Sequence, residues 1–220
     1  MRGNLISLLL IVGLTGLWVN AQDPQPEDDF QSWNDLQLTI PLTKKLDFQT
    51  TVTMRLGKNV TRLNDGRFAV GIVWKPHPLI TVNPFYWYIN ARNANSVFRT
   101  EQRWSVRGTV KFPVKSFGLS HRSTFEYRIR SPRDSWRYRP SLTFEKDISK
   151  KMISGAKLYI TEEVFYDSLL KRFSRNRFTV GVNKTLTKQL SLDLYYMRQN
   201  DGTTRPGDLH VIGTSWKIKL

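Results

Sequence analysis

Apolar and polar residues alternate along most of the chain with the two-residue period of a β-strand, most clearly in the run 98–112. Successive side chains of a strand point to opposite sides, so such a run has one polar and one apolar face. The polar face carries Arg99, Glu101, Arg103, Ser105, Arg107, Thr109 and Lys111, and the apolar face carries Phe98, Trp104, Val106, Val110 and Phe112. A soluble strand usually has about 5–6 residues, whereas a tilted strand that crosses a bilayer needs about 9–11. The run therefore favours a strand of a transmembrane β-barrel.

Segments of the same kind recur from residue 33 to the C-terminus, separated by turn residues. The predicted strands are 33–40, 46–56, 67–75, 79–90, 98–112, 119–130, 136–146, 153–166, 173–184, 190–199 and 209–220. The facing of two of them is ambiguous, because aromatic residues occupy both sides of 79–90 and Glu162 and Glu163 are adjacent in 153–166.

The segments number about eleven, whereas single-chain bacterial barrels have even numbers of strands. We therefore predict an all-β, antiparallel transmembrane β-barrel of about 10–12 strands. Ten strands would leave the first segment outside the wall. Twelve strands, which we favour, would need a further strand near residues 23–31.

Three turns have similar sequences: L-T-K-K-L at 42–46, I-S-K-K-M at 148–152 and L-T-K-Q-L at 186–190. They follow the first, seventh and ninth predicted strands. In an up-and-down order these turns all lie at the same end of the barrel. Because the strand count was made without reference to the turns, their agreement supports the strand assignment.

The first 21 residues are typical of a cleaved secretory signal peptide. Arg2 supplies the positive start, Leu5–Leu17 the apolar core and Val19–Ala21 the small-residue cleavage site. The apolar run is shorter than the roughly 20 residues that a membrane-spanning helix requires. Residues 22–31 are expected to form an irregular acidic segment, so the barrel domain is predicted to span 32–220.

The charged and aromatic residues decide whether the apolar face of the barrel wall points outward, around a polar lumen, or inward, as in a soluble barrel. A soluble barrel with an apolar interior would have to fill that interior with Trp74, Trp104, Trp136, Tyr127 and Tyr138. Aromatic residues near strand ends are instead typical of the girdles at the two membrane interfaces. We therefore expect an outer-membrane barrel in contact with lipid, and keep a secreted soluble barrel that binds an apolar ligand as the alternative.

The last strand places Trp216, Ile218 and Leu220 on one face at the extreme C-terminus. Bacterial outer-membrane barrels commonly end in such a strand, which suggests an assembly signal for the barrel-assembly machinery. Leu220 departs from the usual terminal aromatic residue.

Several short motifs resemble a known bacterial family. They are W-x-x-L-x-L at 33–38, the L-T-K-K-L turn, the arginine-bearing strands, E-E-V-F at 162–165 and R-N-R-F at 175–178. The family is catalogued as domain of unknown function twenty-four-ninety, and its members are taken to be outer-membrane β-barrels. The resemblance covers nearly the whole mature chain and implies fold and location, with no activity or catalytic residues to carry over.

The composition is strongly basic, with 34 Lys and Arg against 18 Asp and Glu, a formal charge of +16. Such a balance often indicates nucleic-acid binding. Here the basic residues alternate with aromatic ones at strand spacing and form no block, so no nucleic-acid partner is predicted. Cysteine is absent, which excludes disulfides and thiolate chemistry.

Many of the basic residues are predicted to face the outer half of the lumen if the three related turns are periplasmic. These arginines are Arg55, Arg67, Arg99, Arg103, Arg128, Arg137, Arg139, Arg175 and Arg177, with Glu101, Glu126, Glu145 and Glu163 among or just below them. Guanidinium groups bind carboxylate and phosphate. The pattern predicts a lumen that attracts a small anionic solute, in a narrow or plugged conduit. The alternative is a purely structural network of ion pairs that fills the lumen.

Enzymatic chemistry has one candidate, the H-x-S pair of His121 and Ser123. A similar pair carries hydrolysis in the outer-membrane phospholipase family, which leaves a membrane-embedded lipid hydrolase as a third hypothesis. An orienting partner and an oxyanion hole are not evident. His77 and His210 have no metal-ligand companions at useful spacing. We therefore predict no catalytic residues, no metal site and no cofactor.

Overall fold

The structure is a computed structural model that describes residues 28–93, 96–149 and 152–220. These residues form eleven strands and no helix. The strands are β1 Asp28–Pro41, β2 Leu46–Gly57, β3 Arg62–His77, β4 Ile80–Arg92, β5 Phe98–Phe112, β6 Gly118–Arg130, β7 Ser135–Asp147, β8 Ala156–Asp167, β9 Arg172–Thr185, β10 Leu190–Asp201 and β11 Asp208–Lys219. The predicted signal peptide and residues 22–27 lie outside the described residues.

The strands close into one barrel in which each strand pairs with its neighbours in the chain. Ten of the pairings are antiparallel, and the closing pair of β1 and β11 is parallel, from Asp28 opposite Asp208 to Thr39 opposite Lys219. An odd number of alternating strands leaves the first and last strands pointing the same way, so the closure must be parallel. A closed parallel pair satisfies its backbone groups as an antiparallel pair does.

The preference for an even number of strands was therefore wrong. The expectation that residues 28–31 are irregular was wrong as well, because they belong to β1 and pair with β11. The acidic residues Asp28 and Asp29 misled the sequence-based assignment, since they resemble the preceding acidic segment. No additional strand lies among the described residues near position 28.

The two ends of the barrel differ, and we name them by their connections. The turn end carries the connections after the odd-numbered strands, and the loop end carries those after the even-numbered strands. The three related turns share the turn end, as predicted. Two of them have the same hydrogen bonds: Leu42 N donates to Leu46 O and Leu186 N to Leu190 O, each at 2.9 Å.

The alternation predicted from the sequence is the alternation of outer and inner wall. Trp104 is 59 % exposed on the outer face of β5, whereas Arg103 is 7 % exposed on the inner face. In β4 the inner face carries Phe85 and Ile89, and Tyr88 faces outward. In β8 Glu163 is buried inside the barrel, and Glu162 is exposed on the outer wall.

Part of the inner wall is apolar. Trp33, Met197, Leu209 and Val211 form a buried cluster beside the parallel seam, and Tyr195 packs against it. The Tyr195 ring lies over Gly213 so closely that a Cβ at that position would overlap it. The missing side chain of Gly213 therefore fixes where this tyrosine lies inside the barrel.

Candidate functional site: the arginine-lined lumen

A cavity of about 920 Å³ occupies the interior of the barrel. Its lining includes Asn93, Ser131 and Thr204 at the loop end. It also includes Gln37 and Gln49 on the segments of β1 and β2 near the turn end. The cavity thus follows most of the length of the wall.

All nine arginines predicted to face the lumen line this cavity: Arg55, Arg67, Arg99, Arg103, Arg128, Arg137, Arg139, Arg175 and Arg177. Glu101 and Glu163 also line it, and Glu126 is buried against Arg103 and Arg139.

Glu145 is the exception and corrects the prediction. It lies two residues from the turn end of β7, opposite Gly118 of β6. There it borders a second, smaller hollow with Lys115, Lys146 and Lys157. The alternation correctly predicted that Glu145 faces inward. Its position near the turn end of β7, however, keeps it away from the arginines.

Glu101 connects two strands of the inner wall. Arg103 donates to its carboxylate at 2.6 Å, and Arg128 of the neighbouring strand does so at 2.6 Å. Arg103 also contacts Glu126 at 3.2 Å. Each of these guanidinium groups therefore has a carboxylate partner in the low-dielectric interior, where an unpaired charge would be costly.

Arg139 continues the same network toward β8. It donates to Glu126 at 2.5 Å and to Glu163 at 2.8 Å. Glu163 also accepts from Arg122 at 3.1 Å. The result is a continuous network of ion pairs from β5 to β8, which we call the paired wall; it consists of Glu101, Arg103, Arg122, Glu126, Arg128, Arg139 and Glu163.

Three further aspartates near the loop end pair with inward arginines and were missed in the sequence. Arg67 Nε donates to Asp65 at 2.6 Å, Arg137 Nε to Asp167 at 2.7 Å, and Arg175 Nε to Asp201 at 2.7 Å. The D-x-R spacing of Asp65 and Arg67 could have indicated the first pair. The other two pairs join different strands, so their contact depends on a register that the sequence did not provide.

Several arginines of the lining have no close carboxylate partner among the described residues, including Arg92, Arg99 and Arg130 at the loop end. We call the three whose guanidinium groups lie against Trp33 or Phe85 the open arginines: Arg55, Arg107 and Arg177. Arg107 has no ion pair with any described residue, and its buried Nε has no hydrogen-bond partner. The nearest carboxylate oxygen is 4.0 Å from Arg55 and 3.9 Å from Arg177. Arg107 was placed in the lumen by the alternation but was not among the predicted anion-binding candidates.

The open arginines rest against aromatic rings. Arg107 Cζ is 4.8 Å from the ring centre of Phe85. The Cζ atoms of Arg55 and Arg177 are 3.5 Å and 4.9 Å from the ring centre of Trp33. Such contacts stabilise a cation without neutralising it. The cavity therefore retains positive charge.

The turn-end half of the inner wall has a different character. Asp47 pairs with Lys75, and Asp193 pairs with Lys217, so these acidic groups have lysine partners. Thr143 and Thr161 hydrogen-bond to each other at 2.8 Å. Basic groups without a close carboxylate partner are thus concentrated among the arginines nearer the loop end.

The H-x-S pair lies on the outer face of β6. His121 Nε2 and Ser123 Oγ are 3.0 Å apart, and Tyr138 OH is 3.0 Å from the same oxygen. No described residue hydrogen-bonds the other ring nitrogen of His121, so a group that would orient a catalytic base is missing from this geometry. Within residues 28–93, 96–149 and 152–220, no cluster of three His, Cys, Asp or Glu could hold a metal ion. The same residues include no helix that is long and apolar enough to cross a membrane.

Comparison with known proteins gives one family and distant structural likenesses. Among solved structures, the chain is similar to an anion-selective porin from Comamonas acidovorans, with 10 % sequence identity and a TM-score of 0.40. The match covers 80 % of this chain and 53 % of the porin, so the chain spans about half the length of that protein. No curated protein matches. The family model described as "Protein of unknown function (DUF2490)" matches residues 30–209, and the chain belongs to that family, as its motifs suggested.

Proposed function

We propose that this protein is an outer-membrane β-barrel whose lumen attracts small anions and serves as a narrow conduit for them. The observation that carries the proposal is the group of open arginines inside a closed wall. A low-dielectric wall concentrates the potential of such charges and raises the local concentration of anions.

The membrane location is supported by the outer face of the wall. Large apolar side chains are exposed around the barrel, among them Leu36, Val52, Phe68, Val106, Phe125, Leu142, Leu194 and Ile212. A soluble monomer rarely exposes a contiguous apolar patch larger than a few hundred Å². Such a surface fits a lipid bilayer. The closed barrel fits it as well, because it leaves no unpaired strand edge in the hydrocarbon.

The alternative of a soluble barrel with an apolar ligand fits the interior poorly. The cavity is lined by charged residues such as Arg107, Arg139 and Glu163. The apolar cluster at Trp33 and Val211 is already buried by its own packing. A lipid hydrolase would need more than the hydrogen bond between His121 and Ser123.

A structural role of the lumen is favoured by one observation, the paired wall. Its ion pairs join four consecutive strands along the inner wall. Removing one member would leave a buried charge without its partner. The two roles belong to different residues. The paired wall stabilises the barrel through ion pairs between strands, and the open arginines attract the solute.

Purified, refolded protein in a planar bilayer tests the proposal directly. An anion conduit should give discrete conductance steps. Val106→Arg, which places a charge on the lipid-facing wall and destabilises the inserted state, is the control for insertion and should give fewer insertion events. Correctly folded, inserted wild-type protein that never conducts would contradict the conduit and leave the structural role.

The last strand is proposed as the assembly signal. Trp216 and Ile218 face outward in β11, and Leu220 N donates to Thr39 O at 3.1 Å. Deleting residues 216–220 removes partners of both β1 and β10, and each unsatisfied backbone group in lipid costs several kcal/mol. The truncated protein should fail to insert. A normal heat-modifiable, protease-resistant band from it would contradict this role.

A further inference from the structure

Two of the open arginines converge on a single tryptophan from different strands. Arg55 belongs to β2, next to the strand of Trp33, whereas Arg177 belongs to β9, on the far side of β10 and β11. Both guanidinium carbons lie within 4.9 Å of the Trp33 ring centre. Two positive charges thus lie against the same ring of the cavity lining.

Neither charge has a carboxylate of its own among the described residues. Asp35 also lines the cavity, but its carboxylate accepts a hydrogen bond from Thr53 and forms no ion pair with Arg55 or Arg177 within the described part of the chain. Asp65 is 4.0 Å from Arg55 and is already held by Arg67, and Glu163 is 3.9 Å from Arg177 and already held by Arg122 and Arg139. Like charges that share a low-dielectric space repel each other. An anion between them would remove that repulsion.

Hydrogen-bond donors at this point also remain free among the described residues. The buried Nε of Arg55 has no partner. Arg177 Nε donates to the neutral amide oxygen of Gln199 at 2.8 Å, which leaves its charge uncompensated. Tyr195 lines the cavity, and its hydroxyl makes no hydrogen bond within the described part of the chain.

The scaffold around these donors is fixed. Trp33 Nε1 donates to Gln31 at 2.8 Å, and Gln31 in turn donates to Asp29 at 2.8 Å, so the indole is held along β1. Tyr195 is held over Gly213. Preorganised donors lose little entropy when a ligand binds.

We propose that Arg55, Arg177 and Tyr195, arranged around Trp33, form a discrete binding site for one oxyanion group, a carboxylate or a phosphate. The planar guanidinium forks match these groups in geometry. The site rests on the proposed anion-attracting lumen and deepens it: an oxyanion is held at one position, whereas a diffuse positive potential would only enrich anions throughout the cavity.

Calorimetric titration of the refolded full chain in detergent at low salt tests the site, with benzoate, acetate, inorganic phosphate and chloride as separate probes. Benzoate, acetate or phosphate should bind saturably with one site per chain. The double variant Arg55→Gln/Arg177→Gln should weaken that binding at least tenfold. Stronger binding of the two carboxylates or of phosphate identifies which oxyanion the site takes.

The matched control is Arg133→Gln/Arg172→Gln, which removes the same charge from exposed residues near the loop end that do not line the cavity. It should change the affinity by less than about twofold. Equal weakening in both double variants would show diffuse attraction and overturn the site, as would equal binding of chloride, or no saturable binding of any probe.

A second measurement on the wild type guards against a variant that fails to fold. Modification of arginines by phenylglyoxal, mapped by mass spectrometry, should be slowed by the bound oxyanion at Arg55 and Arg177 but not at Arg172. Uniform modification would overturn the site. Conductance separates the two proposals. A barrel that conducts anions but binds no oxyanion saturably would support the conduit and contradict the site. Saturable binding without conductance would support the site and contradict the conduit.

Discussion

Val106 and Arg107 are neighbours in β5 whose side chains meet opposite surroundings. Val106 is 50 % exposed on the outer wall, whereas Arg107 lines the cavity. Val106→Arg should destabilise the protein in lipid by roughly 2–4 kcal/mol if it lies near the midplane. Arg107→Val should cost much less, because no described carboxylate pairs with Arg107. Folding titrations in lipid vesicles measure both, and the opposite order would reverse the orientation of the wall.

Glu162 and Glu163 form a second adjacent pair with contrasting surroundings. Glu162 faces outward five residues before the end of β8, the same distance from the loop end as Val52 in β2 and Phe125 in β6. Its one hydrogen-bond partner among the described residues is Asn176, at 3.2 Å. Glu163 is buried and holds arginines of the paired wall.

Glu162→Leu should therefore stabilise the barrel in lipid, by up to about 2 kcal/mol, because it removes a charged group from the apolar face. Glu163→Leu should destabilise it by about 3–5 kcal/mol, because Arg122 and Arg139 lose a buried partner. Denaturant titrations of both variants in the same vesicles give the comparison. Equal effects would mean that the assigned register of β8 is wrong.

At the level of strands, the closing pair of β1 and β11 is the feature that sequence patterns did not provide. Asn34 and Thr214 are partners across this seam, and their side chains hydrogen-bond at 2.8 Å. The protein has no cysteine, so no native thiol can form a competing disulfide with an introduced pair. Asn34→Cys/Thr214→Cys should form a disulfide on mild oxidation, detected as a shift in non-reducing electrophoresis.

The matched control for this crosslink is Asn34→Cys/Ile218→Cys, which stays on the same outward face. Ile218 lies four residues further along β11, about 13 Å away at the rise of a strand. That distance exceeds the span of a disulfide. Efficient crosslinking of the control pair in place of Asn34 with Thr214 would contradict the parallel register.

Much of the wall could be predicted because strand alternation is a local property. The inward position of Arg103 and the outward position of Trp104 follow from a period of two alone. The eleven segments were visible in the sequence, but the even strand numbers of single-chain bacterial barrels argued against an odd count. The start of β1 could not be predicted, because Asp28 and Asp29 look like solvent-exposed residues until they are seen opposite β11. The facing of β4 was ambiguous because aromatic residues pack on both of its sides, with Phe85 inside and Tyr88 outside.

The sequence predicted which arginines face the lumen, but not which of them pair with carboxylates on neighbouring strands. All nine proposed arginines line the cavity. Which arginines are neutralised depends on contacts between strands, such as that of Arg137 with Asp167. It also depends on how far along its strand each carboxylate lies, because Glu145 lies too near the turn end of β7 to reach the arginines. The sequence therefore indicated a basic lumen but could not separate the paired wall from the open arginines.

The barrel as a whole has a charge asymmetry along its interior. Positive charge without a close partner lies at the open arginines, while Asp47 and Asp193 at the turn end are paired with lysines. Salt screens such a potential with a Debye length of about 10 Å at 0.1 M. Any preference for anions should therefore be strongest at low ionic strength.

The reversal potential of the refolded protein in a planar bilayer under a salt gradient tests most directly whether the lumen favours anions. The wild type should prefer anions, more strongly in dilute salt. Arg55→Gln/Arg107→Gln/Arg177→Gln should reduce the preference, whereas Arg133→Gln/Arg172→Gln, which also removes basic residues but outside the cavity, should keep it. Cation selectivity of the wild type would contradict an anion-attracting lumen.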